Sequence, residues 1–129
     1  MTRKELLSKD KFATFIGIEL LEVSEGRAKA KLEIKDEHLN GVQMAQGGAI
    51  FSLVDFALAA AANSHGNIAV SVNMTISFLK AVGKEVLYAE AVEISRSSKL
   101  ATYTVNVTNQ QGELIAALQG TVYRKKETF

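Results

Sequence analysis

Gln46-Gly47-Gly48-Ala49-Ile50-Phe51-Ser52-Leu53-Val54-Asp55-Phe56-Ala57-Leu58-Ala59-Ala60-Ala61-Ala62-Asn63 is the stretch that decides how this chain folds. A Gly-Gly pair opens a run that is apolar on nearly every helical face, which is the pattern of a helix enclosed by the rest of the protein. The spacing predicts a helix over residues 48–63, stopped by the glycine of His65-Gly66-Asn67. From Ala49 to Ala62 the one ionisable side chain is Asp55. Burying an unpaired carboxylate costs several kcal/mol, so Asp55 needs a reason to be there.

Working outward, residues 27–34 alternate strictly. Ala28, Ala30, Leu32 and Ile34 share one face and Arg27, Lys29, Lys31 and Glu33 the other, as in a strand with one wet side. Before it, residues 4–14 read as a short helix and residues 15–23 as a strand. After the long helix, Ile68, Val70, Val72, Met74, Ile76 and Phe78 occupy one face of a long strand and Ala69, Ser71, Asn73, Thr75 and Ser77 the other. Further strands are expected at 85–94, 100–108 and 114–123, the last two joined through Asn109-Gln110-Gln111-Gly112, a hairpin signal. Strands grouped in runs, with one central helix, imply an α+β fold with an antiparallel sheet wrapped on that helix.

Composition narrows the function. At 129 residues the chain is expected to form one domain over 1–129. Its 15 basic and 14 acidic residues nearly cancel, leaving no basic field for nucleic acid or an anionic membrane. With no cysteine there is no disulfide, thiolate metal site or cysteine nucleophile. The opening residues lack the apolar core of an export signal, so a cytoplasmic location is expected, and the apolar run after Gly48 reads as too short to span a bilayer.

No metal is expected, because His38 and His65 have no second ligand at a recognised spacing and read as surface or cap residues. The glycines match neither a dinucleotide fingerprint nor a phosphate loop, and no serine sits in a hydrolase elbow. What remains runs from Asn40 to Asp55. At helical spacing Gly48, Ser52 and Asp55 share a face, and the N–H groups of Gly47 and Gly48 stand free at the helix's positive end. Main-chain donors, the Asn40 amide and a partly desolvated carboxylate are the parts for attack on an acyl carbonyl. On spacing alone, a structural Asp55 with glycines that merely permit close packing fits equally well.

Leu39-Asn40-Gly41-Val42-Gln43-Met44-Ala45-Gln46-Gly47-Gly48-Ala49-Ile50-Phe51-Ser52-Leu53-Val54-Asp55, with Asn63-Ser64 and Val70-Ser71-Val72-Asn73-Met74 beyond, resembles the hotdog-fold acyl-CoA thioesterases of the phenylacetate-degradation type. The likeness runs from Gly17 to Tyr123. It implies a five- or six-stranded antiparallel sheet around the long helix, subunits joined sheet edge to sheet edge as a homodimer or homotetramer, and active sites at the dimer interface. It implies Asp55 as general base or nucleophile, the Gly47 N–H as oxyanion donor, Asn40 on the thioester carbonyl and Ser71 positioning water. Asp55 and Ser71 would come from one subunit and Asn40 and Gly47 from the other. No cofactor is implied.

Where that family usually reads His-Gly-Gly, this chain has Gln46-Gly47-Gly48, and glutamine does not titrate near neutral pH. The family's proline after the long strand is missing from Phe78-Leu79-Lys80-Ala81-Val82-Gly83. Gln46, Gly48 and Ser52 are expected to contact the substrate, and Lys80, Lys84, Arg96 and Lys99 to meet the phosphates of CoA. Met44, Phe51 and Phe56 are expected to shape the acyl pocket. The rival readings are an acyl-CoA binding module without catalysis, and a hydratase, which needs a site histidine that neither His38 nor His65 supplies.

Overall fold

The structure is a computed structural model describing residues 3–128; Met1, Thr2 and Phe129 lie outside the described residues. Two short helices, α1 (Arg3–Ser8) and α2 (Lys11–Ile16), precede β1 (Glu19–Ser24) and β2 (Arg27–Glu33). The long helix α3 (Gly47–Ala62) follows, then β3 (Asn67–Phe78), β4 (Val86–Arg96), β5 (Leu100–Thr108) and β6 (Leu114–Thr128). All neighbouring strands are antiparallel, in the order β1-β2-β4-β5-β6-β3. The crossover through α3 therefore carries the chain from one side of the sheet to its far edge, and β3 is an edge strand.

The sheet closes on α3 because the facing residues are small. Ala28 pairs with Ala91 and Ala30 with Ala89 across β2 and β4, and all four are buried, as are Ala57, Ala60 and Ala61 of the helix. Alanine against alanine lets the helix approach the sheet closely, and Leu53, Leu58, Leu32, Leu87, Val105 and Ile115 fill the space on either side at interior density. By length and composition alone, 19 residues with mean hydropathy 1.3, the run Gly47–His65 is enough to cross a membrane, which corrects the expectation that it is too short. Here its apolar faces are occupied by the sheet.

Three readings of the sequence change. The single amino-terminal helix is two, because Asp10 accepts the Ala13 N–H at 3.0 Å and starts a new helix. That helix runs through Phe15 and Ile16, which were expected in a strand, until Gly17 at φ 96° stops it. In β3, one extra residue between Ser71 and Asn73 makes a bulge that swaps the two faces. Before the bulge Ser71 lies opposite buried Val122, so it faces the helix; after it Met74 and Ile76 do, while Val70 and Val72 are left outside the core.

Of the two histidines expected as surface or cap residues, His38 is a cap, accepting the N–H of Lys35 at the start of a short 3-10 turn, and neither is exposed. His38 is buried: its Nδ1 accepts the Lys35 N–H at 2.9 Å and its Nε2 donates to the Ile16 carbonyl at 2.7 Å, so a neutral ring clamps α2 to the loop before α3. His65 donates through Nε2 to Glu93 at 2.9 Å and accepts from Arg96 at 2.5 Å, and Glu93 also takes the hydroxyl of fully buried Tyr103 at 2.9 Å. Burial works to raise the Glu93 carboxyl, but bonds from His65 and Tyr103 and the charge of Arg96 outweigh it and hold it below its ordinary value. Its stabilising contribution is therefore present near neutrality and is lost as pH falls through that lowered value. Glu93→Ala is expected to cost about 1–3 kcal/mol in a urea titration at neutral pH, because the Tyr103 hydroxyl is left buried without an acceptor.

Candidate active site

The loop before α3 is held in shape by Asn40. Its side-chain oxygen accepts the N–H groups of Val42 at 2.9 Å and Met44 at 3.1 Å, and its own N–H donates to the Met44 carbonyl at 2.7 Å. Gln43 turns the loop at φ 65°. With the oxygen engaged, the Asn40 amide hydrogens are what remains for a ligand, and no acceptor takes them among the described residues. They border a cavity of about 360 Å³ lined by Val42, Met44, Gly47, Ile50, Phe78 and Val82 among others. The Phe78 ring lies against Gly47, and a Cβ there would stand 3.4 Å from it.

The two glycines differ, which corrects the expectation of two free N–H groups. The Gly48 N–H donates to the side-chain oxygen of Gln46, the N-cap of α3. The Gly47 N–H meets no acceptor among the described residues, as befits the first residue of a helix. Gln46 holds the helix end, and no hydrogen bond joins it to Asn40 among the described residues. The hydroxyl of Ser52 donates to the Gly48 carbonyl at 2.7 Å and so is turned back on its own helix.

Asp55 corrects the expectation of burial. It is exposed, on the stripe of α3 marked by Gly48, Ser52, Asp55 and Ala59, the side the sheet leaves open. Partial burial of its carboxyl among its neighbours still raises it above the ordinary aspartate value, and the charge of Asp10 at the start of α2 raises it further. Ser71 also faces the helix side of the sheet and is exposed.

The four basic residues separate. Lys80 and Lys84 lie near the Gly47 end, paired with Glu113 and, at 2.8 Å, Asp36. Arg96 and Lys99 lie at the other end of the helix, where Arg96 contacts His65. One chain cannot bring all four to one phosphate cluster. Met44 lines the cavity at Gly47, whereas Phe56 lines a second cavity of about 330 Å³ against the amino-terminal helices. Phe51 packs partly buried against the core. The sequence reading did not pick out Phe78 for the site; it sat unmarked within the apolar alternation of β3.

A long helix enclosed by a six-stranded antiparallel sheet is the hotdog fold. Residues 43–116 match the thioesterase superfamily, and the chain belongs to it, among the PaaI-type members. A putative esterase of Archaeoglobus fulgidus is 42% identical over 96% of this chain and 81% of its own length. The acyl-coenzyme A thioesterase PaaI of Escherichia coli is 32% identical over 92% of this chain and 86% of that protein. A solved structure of the E. coli PaaI protein superposes with a TM-score of 0.92 at 32% identity, covering 96% of this chain and 91% of that one.

Proposed function

We propose that the protein hydrolyses an acyl-CoA to the free acid and CoA at a site shared by two subunits. The observation that carries this reading is that Gly47 and Asn40, whose N–H and side-chain amide have no acceptor among the described residues, line the same apolar cavity. They are suited to hold a thioester carbonyl oxygen as it becomes an oxyanion. Asp55 is the base, and Ser71 holds the water. Water attacks the carbonyl carbon as Asp55 takes its proton, the tetrahedral adduct expels the CoA thiolate, and Asp55 returns a proton to that sulfur. Direct attack by Asp55 uses the same carboxylate; a single turnover in heavy-oxygen water separates the routes by where the label first appears.

Eight residues separate Gly47 from Asp55 on α3, about 12 Å of helix at 1.5 Å per residue. A base and an oxyanion donor acting on one carbonyl sit far closer than that, so Asp55 and Ser71 belong with Asn40 and Gly47 of a second copy. β3 supports this reading: it is a 12-residue edge strand with Val70 and Val72 exposed, a surface that invites pairing with another edge. We place the CoA phosphates outside this cleft. Of the four lysine and arginine candidates, Lys99 alone has no side-chain partner among the described residues.

The test is thiol release from benzoyl-CoA and hexanoyl-CoA, followed with a thiol-reactive dye. Steady release of CoA is expected from at least one, and tight binding of both with no release would replace hydrolysis by the binding-module reading.

A further inference from the structure

We propose that Gln46 is a positioning residue, which holds the amino end of α3 so that the Gly47 N–H is the one main-chain donor offered to a substrate carbonyl. This rests on the thioesterase reading above. The first four N–H groups of an α-helix have no partner within it. In α3 they belong to the N-cap Gln46 and to Gly47, Gly48 and Ala49; the Gln46 N–H goes to the His38 carbonyl, and two of the other three end on Gln46. Its side-chain oxygen takes the Gly48 N–H, and its main-chain carbonyl takes that of Ala49 at 2.9 Å as well as the first regular helical bond, from Ile50 at 3.3 Å. Gly47 alone is left.

The orientation of the Gln46 amide follows from chemistry, since a main-chain N–H only donates and the atom facing it must be the oxygen. Gln46 is itself fixed. Its N–H donates to the His38 carbonyl at 2.8 Å, and the neighbouring Ala45 N–H donates to Val82 at 2.7 Å, on the cavity wall.

Competition between donors gives the cap its effect on rate. A carbonyl oxygen bound to the Gly48 N–H would sit about 1.5 Å further along the axis and roughly 100° around it. A misplacement of about 1 Å is enough to cost about 100-fold in rate. With the Gly48 N–H occupied, that unproductive pose is closed. Removing the cap therefore divides bound substrate between two poses, which lowers kcat and KM by the same factor and leaves kcat/KM unchanged.

Gln46→Ala is expected to lower both kcat and KM for the better of benzoyl-CoA and hexanoyl-CoA by at least ~2-fold, the factor for two equally populated poses, with kcat/KM little changed. Gln46→Asn and Gln46→Ser, whose side chains also reach N–H groups of the first turn, should restore most of the rate. A cap that served stability alone would lower the melting temperature of Gln46→Ala and leave kcat unchanged, which would overturn the proposal.

A second readout does not depend on turnover. In nitrogen-labelled protein titrated with phenacyl-CoA, a ketone that is not hydrolysed, the Gly47 amide signal should move in the wild type while Gly48 stays put and exchanges slowly. In Gln46→Ala both should respond. Movement of the Gly48 signal in the wild type would also overturn the proposal. Should the wild type bind phenacyl-CoA yet release no thiol from any acyl-CoA, the thioesterase reading fails and the amide signals alone decide the role of Gln46.

Discussion

Asp55→Asn is expected to lower kcat for thioester hydrolysis by at least ~100-fold, the scale of general-base catalysis, while the protein remains folded. The substitution keeps the shape of the side chain and removes its basicity. Because the Asp55 carboxyl is raised above 3.8, the acid limb of the wild-type rate profile should lie above the ordinary aspartate range, with activity falling as pH drops through that raised value. The stability effect runs the other way. The folded state holds this proton more tightly than the unfolded state, so the charge on Asp55 destabilises the fold increasingly as pH rises from 3.8 through the raised value, and the penalty persists above it. Asp55→Asn should therefore melt at a higher temperature than the wild type at pH 7, and the two should converge in acid. Wild-type turnover in this variant would leave Asp55 a structural residue.

Asn40→Ala alone and Asp55→Asn alone are each expected to abolish nearly all activity, and the two mixed should recover it. In a two-fold dimer whose sites draw Asp55 from one subunit and Asn40 from the other, a mixed dimer holds one intact site and one doubly defective site. Random re-pairing makes half the dimers mixed, so about a quarter of all sites, and about a quarter of wild-type turnover, should return. A site built within one subunit would give no recovery on mixing. Light scattering that shows a stable monomer would remove the shared site altogether.

The elements with a clean period were legible from the sequence. Residues 100–108 were expected as a strand and β5 occupies Leu100–Thr108; the expected helix 48–63 differs from α3 by one residue at each end. The amino terminus was misread because Phe12, Phe15 and Ile16 look like core residues in either conformation. The capping bond from Asp10 and the left-handed turn at Gly17 decide between them. Ser71 was placed on the wrong face because alternation carries no mark of a bulge, which depends on how β3 lies against β6.

The candidate site was legible as a list of residues and not as an arrangement. Gly47 and Gly48 are identical in sequence, and only the fold-back of the Gln46 side chain makes one N–H free and the other occupied. Lys80, Lys84, Arg96 and Lys99 read alike as cations until the strand order sets them at opposite ends of a 16-residue helix.

The sequence by itself determined the enclosed helix, the strands with a regular period and the single carboxylate on that helix, because local spacing and the burial of apolar side chains fix these. Only the tertiary structure decided which stripe of the helix stays open, which strand ends at the sheet edge and which donors remain unpaired. Those properties depend on groups far apart in the chain competing for the same hydrogen bonds and the same surface.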